Sequence, residues 1–320
     1  MSESTRPRYV DTLRLSVTDK CNMRCRYCMP AEGVPQLRHD QVLRLEQMVR
    51  FVRLSLERGI RRVRITGGEP LVRRNIIWLV RELAALPDLE DLAMTTNGAL
   101  LAQYAAQLKD AGLRRVNVSL DSLDPEKFRY LTRCGELDAV LTGIQSALDV
   151  GLDPVKINVV LMRGFNDDPA PFVELAARLP VHVRFIERMN FSGIEAPPDF
   201  VSVDEIAAKL EEIAPTDADG GPMGAGPARY VRMPGLVGSV GFIEEREGHA
   251  CATCNRLRLS CDGTLRACLF QPKQSGVQVL QQLRDGDDAA VLAALDQAIA
   301  AKPRSRMKSF NHEAMSQIGG

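Results

Sequence analysis

The sequence predicts an α/β protein in which an incomplete parallel (β/α)6 barrel of the TIM type is followed by a C-terminal domain. Three observations predict this. Short apolar runs alternate with longer amphipathic ones through the first two thirds of the chain. A glycine- and proline-rich stretch at residues 215–227 then interrupts the rhythm. Beyond it, strand-like runs succeed one another without long helices between them. The expected division is a core of residues 8–228 and a C-terminal domain of residues 229–320.

Taken in order, strands are predicted at residues 13–17, 63–66, 92–96, 116–120, 155–161 and 181–186. Between them, residues 45–58, 76–86, 101–111, 137–150 and 171–179 carry apolar side chains at helical spacing. Alternation at this length argues for parallel βα units. In the C-terminal part, residues 230–233 and 236–242 read as strands. Residues 256–261 and 264–268 read as a hairpin about a two-residue Asp262-Gly263 turn. Residues 277–301 read as mostly helical, and the chain ends in a polar tail closed by Gly319-Gly320.

Parallel strands covered by helices are normally apolar on both faces. Here the alternation puts polar groups on one face of each strand: Arg14 and Ser16, Arg64 and Thr66, Thr95, Asn117 and Ser119, Lys156 and Asn158, and Arg184. Solvated edges would explain one or two strands, not all six. A barrel lumen carrying Arg14, Arg64, Lys156 and Arg184 needs a counter-charge, because buried cations are costly without one. The pattern predicts a multiply charged anionic ligand such as a polyphosphate, with structural ion pairing as the alternative.

Lys plus Arg and Asp plus Glu balance at 41 each, so no bulk charge points to nucleic acid or to a membrane surface. Eight cysteines without a signal peptide argue for a reducing cytoplasm and metal work rather than disulfides. No apolar run reaches membrane-spanning length. A cytoplasmic protein without nucleic-acid or membrane partners is expected.

Cys21, Cys25 and Cys28 stand at CxxxCxxC spacing just after the first strand. Thiolates on a short loop hold iron–sulfur or zinc centres, and three ligands leave a position open where a structural zinc would close its shell with four. A zinc loop with a distant fourth ligand and simply buried thiols are the alternatives. Downstream lies Gly67-Gly68-Glu69-Pro70. Together these two motifs resemble the radical S-adenosylmethionine (SAM) superfamily. The resemblance implies a [4Fe–4S] cluster on the three cysteines, SAM chelated to its fourth iron, and cleavage of SAM to a 5′-deoxyadenosyl radical.

A second cysteine set follows: Cys251, Cys254, Cys261 and Cys268. With a two-residue turn, Cys268 is expected opposite Leu257, and Cys261 lies roughly 13 Å further along at about 3.3 Å per residue. One metal ion hardly spans that. The expected ligands are therefore Cys251, Cys254 and Cys268 of a second cluster with an open iron, in what is then an iron–sulfur C-terminal domain. A four-thiolate zinc site is the alternative.

The stretch from Asp11 to Cys21, the Gly-Gly-Glu-Pro turn, Thr95-Thr-Asn-Gly, Ser119-Leu-Asp-Ser, Lys156-Ile-Asn-Val, Arg184-Phe-Ile-Glu-Arg-Met189, CxxC-x13-C and the terminal Gly-Gly narrow the resemblance. From about Arg8 to Gly320 the chain resembles the GTP 3′,8-cyclase family of molybdenum cofactor biosynthesis. The resemblance implies two [4Fe–4S] clusters and SAM. It implies SAM contacts from Tyr27, Gly68, Ser119 and Met189, and GTP contacts from Arg14, Arg64, Thr95, Lys156, Arg184, Arg256, Leu257 and Arg258. It implies a lyase that converts GTP to 3′,8-cyclo-7,8-dihydro-GTP. An external one-electron donor and a downstream cyclic pyranopterin monophosphate synthase would be its partners, and a homodimer is left open. Cys261 departs from the small residue expected there, and Cys134 matches no ligand position. A radical SAM peptide or protein modifier and a non-catalytic iron–sulfur or zinc scaffold are the rival readings.

Overall fold

The computed structural model describes residues 9–189, 199–215, 217–219, 221–222, 226–244, 251, 254–303 and 315–318. Six strands, β1 (Thr12–Ser16), β2 (Arg62–Thr66), β3 (Asp91–Thr96), β4 (Arg115–Ser119), β5 (Val155–Val160) and β6 (Val181–Ile186), pair in parallel in chain order. Helices α1 (Leu45–Leu56), α2 (Ile76–Ala84), α3 (Leu101–Asp110), α4 (Pro125–Thr132), α5 (Leu137–Asp149) and α6 (Ala170–Arg178) supply the crossovers. This is the expected incomplete (β/α)6 barrel.

Two periodicities build its core. Along the strands every second residue, such as Leu13 and Leu15, Val63 and Ile65, or Val116 and Val118, is buried. On α1 the buried residues include Leu45, Met48, Phe51, Val52 and Ser55, spaced as one helical face. The polar residues singled out in the sequence occupy the other strand face, in register: Arg14 beside Arg64, Thr95 beside Asn117, Asn117 beside Lys156, Asn158 beside Arg184.

Among the described residues, two helices of eight residues or more went unpredicted. In α4, Asp124 caps the helix by accepting from Lys127 N at 2.9 Å, and Pro125 opens its first turn. In α7 (Val203–Ile213), Ser202 and Glu205 form a reciprocal capping box. Both signals stood in the sequence but lacked a long apolar stripe to draw attention to them.

The C-terminal strands are β7 (Asp217–Asp219), β8 (Arg229–Arg232), β9 (Ser239–Ile243), β10 (Arg256–Leu259), β11 (Thr264–Arg266) and β12 (Val277–Gln278). They extend the barrel sheet on both edges, in the order β12-β11-β10-β1-β2-β3-β4-β5-β6-β9-β8-β7. Because β10 runs parallel to β1 and β9 parallel to β6, the parallel run is eight strands wide. Residues on both sides of position 228 share one apolar core.

The stretch read as one helical region divides into β12, α8 (Leu280–Asp285) and α9 (Asp288–Ala300). Gly286 breaks it with φ +75°, and Asp287 restarts it by capping Ala290 N at 2.9 Å. A last short helix, α10 (Met315–Ile318), precedes Gly319-Gly320, which lie outside the described residues.

The β10–β11 hairpin differs from expectation by one residue. Arg258 pairs with Arg266 and Leu259 with Leu265, so Cys268 falls opposite Arg256 rather than Leu257. The loop has three residues, not two: Gly263 N donates to Ser260 O, Ser260 N donates to Thr264 O, and Gly263 takes φ +81°. A one-residue slip sends each side chain to the opposite face. The slip puts Arg266 opposite Arg258 on β10, whereas Cys261 continues the core-facing alternation of Leu257 and Leu259 and lies in the apolar core. Among the described residues, no helix is long and apolar enough to cross a membrane.

Candidate active site

The loops that leave the C-terminal ends of the barrel strands carry the chemistry-bearing residues, the end at which barrel folds assemble active sites. The cysteine loop follows β1, and the Gly-Gly-Glu-Pro turn follows β2 and docks against it. Gly68 N donates to Thr18 O at 2.7 Å and Glu69 N to Lys20 O at 2.8 Å. The approach is so close that a Cβ on Gly67 would stand 2.7 Å from Thr18 O, and one on Gly68 would overlap the Lys20 carbonyl. Glu69 is fully buried beneath the turn. It accepts hydrogen bonds from Leu71 N (3.0 Å), Thr96 Oγ1 (2.8 Å) and Asn97 N (2.7 Å), and burial lifts its pKa to about 7. Asn97 in turn donates to Asn22 Oδ1 at 2.8 Å and to Cys21 Sγ at 3.8 Å.

On its other side the loop is held by the end of α4, through Arg24 N to Thr132 O (3.1 Å) and Arg26 N to Leu131 O (2.9 Å). Tyr27 reaches inward, and its hydroxyl donates to Asp121 Oδ2 at 2.7 Å. Asp121 also accepts from Val160 N, and burial raises its pKa to about 6. Ser119 ends β4 and Met189 follows β6, both half-buried. Tyr27, Gly68, Ser119 and Met189 thus share the end of the barrel that bears Cys21, Cys25 and Cys28. Cys134 is exposed, its thiol donating to Asn22 O at 3.4 Å.

None of the eight cysteines is in a disulfide. Burial pushes the Cys21 thiol up, and burial, Asp121 and neighbouring thiols push Cys25 up further. Such thiols give up their protons to a metal rather than to water. Among the described residues no three His, Cys, Asp or Glu side chains converge on a single metal ion. The donor set, three soft thiolates on one loop, fits a [4Fe–4S] cluster.

Below the rim lies a row of cations. Arg266, Arg258, Arg14 and Arg64 are successive register partners across β11, β10, β1 and β2. Burial first, then Arg258, Arg64 and other arginines, depress the Arg14 pKa well below its ordinary value. Burial and Arg184 take Arg64 to about 9, and burial with Arg184 and Arg115 takes Lys156 to about 7. Arg14, Arg64 and Arg184 each keep a buried Nε without a hydrogen-bond partner. Arg184 is held by Asn117 Oδ1 (2.8 Å) and Asn158 Oδ1 (2.5 Å). Thr95 flanks this group, its hydroxyl 3.5 Å from Asn117 Nδ2. The carboxylates that accompany cations sit low in the barrel, where Asp91 binds Arg115 at 3.0 and 2.5 Å and Asp11 pairs with Arg62. Among the described residues the polar middle is short of negative charge, which is the arrangement of an anion site.

The second thiol set borders this row. Cys251, Cys254 and Cys268 are half-buried, and Cys254 N donates to Cys251 O at 3.3 Å. Burial opposes ionisation of Cys254, but Arg256 and Lys302 outweigh it and bring the thiol down to about 6. Arg258 feels both sides: burial and Arg256 lower it to about 10 against the pull of Cys268 and Cys254. Leu257, between the two arginines, faces the core with 0% exposure, so its side chain does not point to the lumen. Cys261 is buried away from the set, its thiol pushed up to about 12 by burial and by Asp19. Arg115, Glu69, Asp121 and Lys302 were not singled out in the sequence. Glu69 and Asp121 stood within motifs of the sequence, whereas Lys302 carried no signal, because its place depends on α9 folding back over β11 and β12.

A partial barrel with a three-thiolate loop and a glycine turn at its strand ends defines the radical SAM class. A family model described as the Radical SAM superfamily matches residues 15–176, and one described as Molybdenum Cofactor Synthesis C matches residues 181–308. The chain is 45% identical to the GTP 3′,8-cyclase of Moorella thermoacetica over 99% of this chain and 100% of that one. It is 46% identical to that of Heliobacterium modesticaldum over 98% of each. Among solved structures, Streptococcus suis SuiB bound to its precursor peptide SuiA shares the fold, with TM-score 0.63 and 14% identity over 90% of this chain and 66% of that one. Within the radical SAM class, the chain belongs to the GTP 3′,8-cyclase family.

Proposed function

We infer that the protein is a radical SAM lyase that cyclises GTP to (8S)-3′,8-cyclo-7,8-dihydroguanosine 5′-triphosphate, the first step of molybdenum cofactor biosynthesis. One arrangement supports this most strongly: Arg258 stands beside Arg14 in the sheet and within the field of Cys254 and Cys268. A ligand with a triphosphate at one end and a metal-binding heterocycle at the other matches that span. A peptide-modifying enzyme has no need of the cation row.

Cys21, Cys25 and Cys28 would hold one cluster and Cys251, Cys254 and Cys268 the other. When bound, SAM and the first cluster would supply a 5′-deoxyadenosyl radical to take hydrogen from C3′ of the ribose; C3′ would then add to guanine C8 across the C8–N7 double bond, with one electron from the external donor and one proton completing the dihydro product. The chain's own task is positioning. Gly68 lets the turn pack against Asp19 and Lys20 beside SAM's place, which Tyr27, Ser119 and Met189 line. Arg14, Arg64, Thr95, Lys156 and Arg184 hold the triphosphate. Arg256, the Leu257 backbone and Arg258 hold the nucleoside end beside the second cluster. Residues 8–228 thus serve SAM and phosphate, and residues 229–320 serve the base and carry the terminal Gly-Gly. A cytoplasmic setting, an external one-electron donor and a downstream cyclic pyranopterin monophosphate synthase complete the reading, with a homodimer left open.

Anaerobically reconstituted protein given SAM, reductant and GTP should form the cyclic product along with 5′-deoxyadenosine. Deoxyadenosine without cyclic product, under conditions where both clusters are loaded, would refute GTP as the substrate.

A further inference from the structure

Lys302 follows the last turn of α9, and neither the sulfur ligands nor the phosphate site accounts for it. It is only 6% exposed. A buried ammonium is costly unless its protons find acceptors. Two acceptors are backbone carbonyls, Arg256 O at 2.6 Å and Ala267 O at 2.9 Å. Their positions matter: Arg256 lies two residues after Cys254, and Ala267 immediately precedes Cys268. A single side chain therefore ties together the two segments that bring these cysteines to the second thiol set. Burial and the nearby Arg256 oppose its charged form, whereas its contact with the Cys254 sulfur and the neighbouring Cys268 thiol favour it.

We propose that Lys302 is a positioning residue of the second iron–sulfur site, clamping the segments that bear Cys254 and Cys268 and setting a positive charge beside their thiolates. This rests on the reading that Cys251, Cys254 and Cys268 hold a cluster. Groups around a cluster set its potential through charge and hydrogen bonding. A neighbouring cation favours the more negative, reduced form, so Lys302 raises the reduction potential of the second cluster. It also links the C-terminal helix to the hairpin, so that α9 fixes the geometry of the thiol set.

Clamp and charge are separable. Lys302→Met keeps the apolar stem and loses both, Lys302→Gln keeps a donor without charge, and Lys302→Arg keeps both. The full chain is reconstituted with iron and sulfide without oxygen, then analysed for iron and titrated redox-wise with each cluster followed by electron paramagnetic resonance. Lys302→Met and Lys302→Gln should shift the second cluster to lower potential, with occupancy lowest in Lys302→Met, while the N-terminal cluster keeps its spectrum and potential. Lys302→Arg should titrate close to wild type. Selective loss of the second cluster from both neutral variants would also support the clamp. Wild-type potential in both neutral variants overturns the proposal, and so does loss of both clusters together with the fold, which would mark a general stabilising role. Wild-type protein that takes up only one cluster would refute the underlying cofactor reading instead.

Discussion

Arg258 of β10 lies directly beside Arg14 of β1, as register partners of a parallel pair, with both side chains on the lumen face. Like charges side by side on a sheet repel, and here burial sharpens the repulsion. Arg14 also keeps a buried Nε without a partner. The ligand-free protein therefore carries a cost that an anion relieves. Arg14→Met should stabilise the ligand-free protein by about 1 kcal/mol while weakening GTP binding more than tenfold. Thermal unfolding with and without GTP measures both; a melting temperature lowered in the absence of GTP would contradict the account.

Lys156 and Arg184 are 2% and 3% exposed, deep in the same lumen. Removing either leaves a desolvated phosphate short of a charged partner. Lys156→Ala and Arg184→Ala should each weaken GTP binding by about 2 kcal/mol, with little change for SAM. Calorimetry with GTP and with guanosine tests the assignment, because an equal loss for both would show that neither side chain reads phosphate.

The Lys156 pKa, lowered to about 7 by burial and then by Arg184, Arg115 and Arg64, makes binding depend on pH. A bound triphosphate raises it again, so binding takes up a proton above pH 7. GTP affinity should fall as pH rises from about 7 to about 9, with proton uptake visible as a buffer-dependent heat. The stability of the free protein responds in the opposite sense. The unfolded lysine keeps its proton up to about pH 10.4 while the folded one has released it, so stability from this group rises with pH above 7. In Lys156→Met both dependences should shrink.

Gly68 meets the Lys20 carbonyl so closely that no side chain fits. Gly68→Ala should push the Gly-Gly-Glu-Pro turn away from residues 18–20. SAM affinity should drop at least tenfold, while GTP binding, which shares only Arg64 with the strand leading into the turn and otherwise rests on other strands, is weakened far less. Equal weakening of the two ligands would point to a collapsed barrel instead.

Cys261 and Cys268 should behave differently although seven residues apart. Cys261 is 1% exposed and packed in the apolar core. Cys261→Ala should keep its iron and cost stability of about 1 kcal/mol from the small cavity. Cys268→Ala should lose about half the iron and productive GTP binding, yet still cleave SAM. Metal analysis of anaerobic preparations decides; loss of metal from Cys261→Ala would mean a four-thiolate site.

The barrel, the cysteine loop, the glycine turn and the polar strand face were legible because each is written in local spacing. Periods of two and of 3.6, three thiols within eight residues, and glycines after a strand need no partner to be seen. The helices α4 and α7 carried capping signals without a long apolar stripe. The hairpin register failed because Ser260 and Gly263 close a three-residue loop, and a single extra residue reverses which face every later side chain takes.

By itself the sequence determined the strand count of the barrel core, the thiol spacing and the excess of cationic over acidic residues on one strand face. Only the tertiary structure decided that β10 pairs with β1, which sets Arg258 against Arg14 and brings the second thiol set to the lumen. It alone sent Cys261 into the core and Lys302 to the carbonyls of Arg256 and Ala267. The physical reason is range. Side-chain periodicity is fixed by the backbone within one element, whereas a pairing between residues more than two hundred positions apart is chosen by which edge of the sheet remains open and which apolar face remains to be buried.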